Sequence, residues 1–149
     1  PSKLADAHIF GANLQEFNGL VEGAATDDVA SKYIFGQIPS NARVSQILLS
    51  CDDSGTTGAM DIGLYQTTSN GGAVVDADFF ASAQVLTTAL ANSDVTHESG
   101  VFGIEDTEQP LWKALGLTSD PGIYYDVVGT LTAVLEDPAT IGVKARYVI

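Results

Sequence analysis

Two stretches near the end of the chain constrain the fold most. Ile123-Tyr-Tyr-Asp-Val-Val-Gly-Thr-Leu-Thr-Ala-Val-Leu135 and Ile141-Gly-Val-Lys-Ala-Arg-Tyr-Val-Ile149 are rich in β-branched and aromatic residues, and the short polar turn Asp137-Pro-Ala-Thr140 joins them. Such residues suit a pleated, half-buried surface, and the turn residues bound them, so both stretches read as long strands. A chain whose last residues are a strand is held there by sheet pairing, so the fold is expected to be completed at its end.

Upstream, the same signals recur. Tyr33–Ile38 reads as a strand ended by Pro39, and Arg43–Cys51 as a second, with turn residues on both sides. Met60, Ile62 and Leu64 alternate with Asp61, Gly63 and Tyr65, the pattern of a half-buried antiparallel strand. The gaps after residues 38 and 51 are too short for crossover helices, which excludes a wholly parallel sheet. Two segments read as short helices. In Asp76–Gln84, Asp76 or Asp78 would cap a helix with Phe79, Phe80 and Ala83 on its apolar side. In Asp106–Gly116, Asp106 and Gln109 have capping-box spacing, Pro110 is tolerated in a first turn and Gly116 is a stop signal. Val101–Ile104 reads as a short strand.

Leu14, Phe17, Leu20 and Val21 have helical spacing, but Gly11, Gly19 and Gly23 weaken a helix. Residues 1–28 therefore read as an extended N-terminal arm whose apolar residues need a surface to cover them. Residues 29–149 read as a single-domain body. The expected fold is mainly β: an antiparallel β-sandwich or jelly roll with one or two short helices and that arm.

Composition narrows the function classes. Of 149 residues, 45% are hydrophobic and 17% are charged, enough for one domain with its own core and too apolar for disorder. No run approaches the about eighteen apolar residues that mark a membrane span. Nineteen acidic residues against six basic ones give a net charge of −13, a field that repels nucleic acid and suits a locally basic partner surface. The single cysteine, Cys51, excludes an intrachain disulfide and, at the end of an apolar run, reads as a buried structural thiol. The first residues show no signal peptide, so synthesis in the cytoplasm is expected.

No motif carries catalysis. His8 and His97 lie in polar segments without a nucleophile-elbow motif beside them. The acidic pairs Asp27-Asp28, Asp52-Asp53, Asp76 with Asp78, and Glu105-Asp106 lack EF-hand spacing, and turns or helix caps account for each. The glycine stretches contain no phosphate-binding fingerprint. The expectation is a non-enzyme with no cofactor and no metal. Lys144 and Arg146 share one side of the last strand, opposite Ile141, Val143, Ala145 and Tyr147, as a solvated face, as partners of nearby acids or as a subunit contact.

The runs Ile38-Pro-Ser-Asn-Ala-Arg-Val44, Met60-Asp-Ile-Gly-Leu64, Asp76-Ala-Asp-Phe-Phe80, Pro110-Leu-Trp-Lys-Ala-Leu-Gly-Leu117 and Tyr125-Asp-Val-Val128 resemble small structural proteins of tailed bacteriophage heads. More narrowly, the chain is similar to capsid cement (decoration) proteins over residues 35–149. The resemblance implies a homotrimer on the outer surface of the virion head, made in the host cytoplasm, that clamps neighbouring subunits of the major capsid protein and engages neither nucleic acid nor membrane. The residues expected at partner contacts are Leu4, Ile9, Phe10, Leu14 and Phe17 of the arm, with Lys144 and Arg146. The alternative is a carbohydrate- or receptor-binding module of a phage tail or spike, which would present Tyr65, Tyr124 or Tyr125 as an exposed aromatic platform.

Overall fold

A computed structural model describes residues 12–149 of the chain. Eight strands follow in order: β1 (Leu14–Gly23), β2 (Lys32–Pro39), β3 (Arg43–Cys51), β4 (Ala59–Gln66), β5 (Val74–Val85), β6 (Leu90–Asp94), β7 (Tyr124–Ala133) and β8 (Ala139–Val148). They form two four-stranded sheets with strand orders β1-β8-β3-β6 and β2-β7-β4-β5. Every pairing is antiparallel. Eight strands in two facing sheets of this order, with β4 and β5 consecutive in one sheet, are a jelly roll.

The core fills the space between the sheets. Met60, Ile62 and Leu64 of β4 are fully buried, as their alternation requires, and Ile141, Val143 and Ala145 of β8 meet them from the other sheet's inner face. The two closing strands form as expected, but they do not pair: β7 lies between β2 and β4, and β8 between β1 and β3. Their joining turn crosses from one sheet to the other. Cys51 is buried and unbonded to any other cysteine.

Four segments depart from expectation. Leu14–Gly23 is not an extended arm but an edge strand, paired with β8 from Leu14↔Val148 to Gly23↔Ala139. The glycines that weaken a helix here are what this strand needs. A Cβ on Gly19 would stand 2.0 Å from the Phe35 carbonyl oxygen, so β1 and β2, edge strands of opposite sheets, run against each other and close that side of the sandwich.

Asp76–Gln84 is strand β5, not a helix. Its register on β4 jumps from Leu64↔Asp76 to Ile62↔Ala81, and the extra residues form a bulge. Both Phe79 and Phe80 are buried, packing edge-to-face at 5.0 Å between ring centroids, an arrangement that a regular alternating strand would forbid. The Asp76 carboxylate accepts from its near neighbour Asp78 N–H at 3.3 Å rather than capping a helix.

Val101–Ile104 is not a strand. Phe102 N–H donates to the Phe79 carbonyl at 3.1 Å, and the buried Phe102 ring completes the aromatic cluster with Phe79 and Phe80 from a loop. The helix expected over Asp106–Gly116 contracts to one turn, α1 (Leu111–Ala114), preceded by a 3-10 turn at Ile104–Asp106. Pro110 takes an extended ψ of 149° at the helix N-cap and separates the two. Asp106 caps the 3-10 turn, accepting from Gly103 N–H, and holds the Gln109 amide at 3.1 Å. Gly116 ends the turn at a φ of 76°, the stop its position indicated.

Candidate interaction surface

The outer face of the β1-β8-β3-β6 sheet is where the sequence-expected contact residues gather. Along β1, alternation turns Glu16, Asn18, Leu20 and Glu22 outward, while Phe17, Gly19, Val21 and Gly23 face the core. On β8, Lys144 and Arg146 stand outward on either side of buried Ala145. The register then stacks outward residues in rows across three strands: Glu16, Arg146 and Gln46; Asn18, Lys144 and Leu48; Leu20, Gly142 and Ser50.

The first row is a continuous polar ladder. Arg146 Nε donates to Glu16 Oε2 at 2.6 Å and Arg146 Nη1 to Gln46 Oε1 at 3.0 Å. Gln46 Nε2 then donates to Asp94 Oδ2 at 3.0 Å, reaching β6 and spanning all four strands. The other Asp94 oxygen accepts from Thr96, whose hydroxyl in turn accepts the buried Ile47 N–H at 2.8 Å. The Arg146 hydrogen bond holds the Glu16 carboxyl below its ordinary range. Burial pushes Asp94 upward, but the bonds from Thr96 and Gln46 outweigh it and hold that carboxyl low as well.

The third row leaves a groove of about 340 Å³ lined chiefly by Leu20, Leu48, Ser50, Asn92, Gly142 and Lys144. Gly142 makes the depression: a Cβ there would lie 2.8 Å from Leu20 Cδ2, so only glycine lets the leucine lean across the sheet. Leu20 remains 74% exposed. Asn92 adopts a φ of 53°, and its N–H donates to Ser50 Oγ at 2.9 Å, folding β6 over the end of the groove. Lys144 lines one wall and makes no hydrogen bond or ion pair among the described residues; its charge reaches Glu16 only through space.

Of the other expected contact residues, Leu14 is exposed at the start of β1, while Phe17 turns inward and packs its ring over Gly36. Leu4, Ile9 and Phe10 lie outside the described residues, as does His8. Leu20, Gly142 and the ladder partners Glu16, Gln46 and Asp94 carry no motif. Only the strand register brings them together.

The remaining suspects are occupied elsewhere. His97 stacks on the Phe102 ring, and its Nδ1 bonds the Phe102 carbonyl at 2.8 Å. Asp53 accepts Gly55 N–H within its turn, and Asp61 of β4 accepts Ala83 N–H of β5 across the strand pair. Among the described residues, no three His, Cys, Asp or Glu side chains converge on a point that would hold a metal ion. Tyr65 and Tyr125 are buried, and only Tyr124 of the three tyrosines faces solvent.

No protein-family model matches the chain, and no curated protein sequence matches it. Solved structures do. One chain of the cyanophage Pam1 capsid asymmetric unit superposes with a TM-score of 0.54 at 17% identity, covering 100% of this chain and 94% of that one. The fold is one found in bacteriophage capsids. A chain of the capsid of Ralstonia phage GP4 superposes with a TM-score of 0.59 at 14% identity, covering 98% of this chain and 90% of that one. At these identities, what is shared is the jelly roll, end to end.

Proposed function

We propose that this chain is a structural protein of a bacteriophage virion, a cement or decoration protein that binds the outer surface of the head and bridges subunits of the major capsid protein. The observation that carries the reading is the match to chains of two phage capsids, which covers 100% and 98% of this chain and 94% and 90% of those chains. The arrangement of the site agrees with it. One sheet presents an outer face with a hydrogen-bonded polar ladder, a shallow groove, an exposed leucine and a lysine without a hydrogen-bond partner among the described residues, which suits docking on a protein surface. His97, Asp53 and Asp61 each make a hydrogen bond to the main chain.

In this reading the protein acts as a homotrimer. Each copy buries a modest apolar area, worth about 25 cal/mol per Å² before association costs, and symmetric repetition lets several weak contacts act as one strong attachment. The test is co-sedimentation of the purified protein with heads of its own virus from which it has been stripped. Saturation at a fixed ratio to the major capsid protein, with heads gaining resistance to heat or osmotic shock, is the expected result. Failure to bind heads would remove the cement reading and favour the tail or receptor-binding alternative.

A further inference from the structure

We propose that the groove between Leu20 and Leu48 is a docking site for a partner-protein segment that sets an apolar side chain beside a carboxylate. The proposed function supplies the identity of the partner, a subunit of the capsid shell; the chemistry of the segment comes from the groove. Its floor is Gly142, flanked by the apolar side chains of Leu20 and Leu48. A leucine left 74% exposed yet leaning over a glycine presents apolar surface to whatever lies above the sheet. Covering it removes that surface from water.

Charge fixes the second half of the specification. Elsewhere on this face the charged side chains are engaged: Arg146 with Glu16 and Gln46, Asp94 with Gln46 and Thr96, and Glu22 with the Thr140 hydroxyl at 2.8 Å. Lys144 alone has no such partner among the described residues, in a chain with nineteen acidic residues and six basic ones. Its cross-strand neighbours are Asn18 and Leu48, which cannot neutralise it. A carboxylate placed above Leu48 would find the ammonium on the groove wall, with the Asn18 and Asn92 amides at its rim. The net charge of −13 opposes an acidic partner at long range, but at physiological salt that field decays over about 8 Å. The carboxylate therefore belongs to a local segment and not to a broadly acidic surface.

The test compares Lys144→Glu, Leu20→Asp and, on the other sheet's outer face, the exposed control Ile34→Asp, each first shown to unfold as the parent does. Binding to stripped heads is expected to weaken about tenfold or more for the two groove variants and to stay unchanged for the control, with Lys144→Arg retaining binding. Heads that bind the groove variants as tightly as the parent would overturn the groove while leaving the capsid reading in place. If the parent itself fails to bind heads, the capsid reading falls, and an amide-shift titration with acetyl-Gly-Leu-Asp-Gly-amide judges the groove alone. Shifts at Leu20, Gly142 and Lys144 that vanish when Asp is replaced by Asn in the peptide sustain it. Their absence overturns it.

Discussion

Replacing Gly19 with Ala sets two effects of opposite sign against each other. Alanine restricts the unfolded chain, and at a site with room and a compatible backbone this stabilises by about 0.4–1 kcal/mol. The backbone of Gly19 is not left-handed, so that gain is open to it. Room is not. The new Cβ would lie 2.0 Å from the Phe35 carbonyl oxygen and 2.6 Å from its Cα and carbonyl carbon. Carbon and oxygen in close contact stay about 3.3 Å apart, so one of the two strands must retreat by roughly 1 Å. The obstacle is main chain, not the end of a flexible side chain, and Phe35 belongs to β2, which is paired with β7 on its other side. Overpacking of this kind costs about 1–3 kcal/mol and here falls at the upper end, leaving a net loss of about 2 kcal/mol. Urea unfolding followed by far-ultraviolet circular dichroism should show a lower midpoint at unchanged slope, with faster amide exchange confined first to Leu14–Gly23. A midpoint unchanged or raised would refute the close approach and return residues 14–23 to the status of an arm.

Three further outcomes follow from the same packing. Phe102→Ala removes a fully buried ring that touches Phe79, Phe80 and His97, and should cost about 3–5 kcal/mol in urea unfolding, whereas His97→Ala should cost far less; equal costs would contradict the assignment of His97 to local bonding. Glu16, Asp27, Asp120 and Glu136 are held below their ordinary range chiefly by hydrogen bonds from Arg146, Tyr33, Ser40 and Thr56, and Asp94 by bonds that outweigh its burial. Stability from such groups is complete above the ordinary carboxylate range and lost as the pH falls through their lowered values. Asp76, raised by burial and by Asp78, contributes in the opposite sense. With five groups against one, the unfolding midpoint should drop between about pH 5 and about pH 3, and a flat profile would show that these bonds do not persist in solution. Cys51 is buried, and burial pushes its thiol up, so it stays protonated in the folded protein. Iodoacetamide at about pH 8 should label it only on unfolding, and rapid labelling of the native protein would contradict its place in the core.

The strands were legible in the sequence because alternation and β-branched runs reflect local geometry. Met60, Ile62 and Leu64 point inward as their spacing indicates, and the turn at Pro39 and the stop at Gly116 stand where their chemistry places them. The failures share a cause. Asp76–Gln84 has apolar residues at helical spacing and Leu14–Gly23 has glycines that speak against a helix, but a bulge lets adjacent Phe79 and Phe80 both enter the core, and β1 takes its place from pairing with β8 more than a hundred residues away. Propensity and period describe a residue's neighbours along the chain, whereas sheet pairing joins residues that the chain separates. The same limit governs the surface. Lys144 and Arg146 could be placed on one side of a strand, but Glu16, Gln46 and Asp94 become a ladder, and Leu20 and Gly142 a groove, only once three other strands are set in register.

The central claim is that this chain sits on the outside of a phage head, and electron cryo-microscopy of the virus that encodes it is the most direct measurement. An eight-stranded sandwich resolved on the outer surface, present in fixed ratio to the major capsid protein and turning its β1-β8-β3-β6 face toward the shell, is the predicted result. Heads whose surface lacks this density, with the protein found at the tail or missing from the particle, would contradict it.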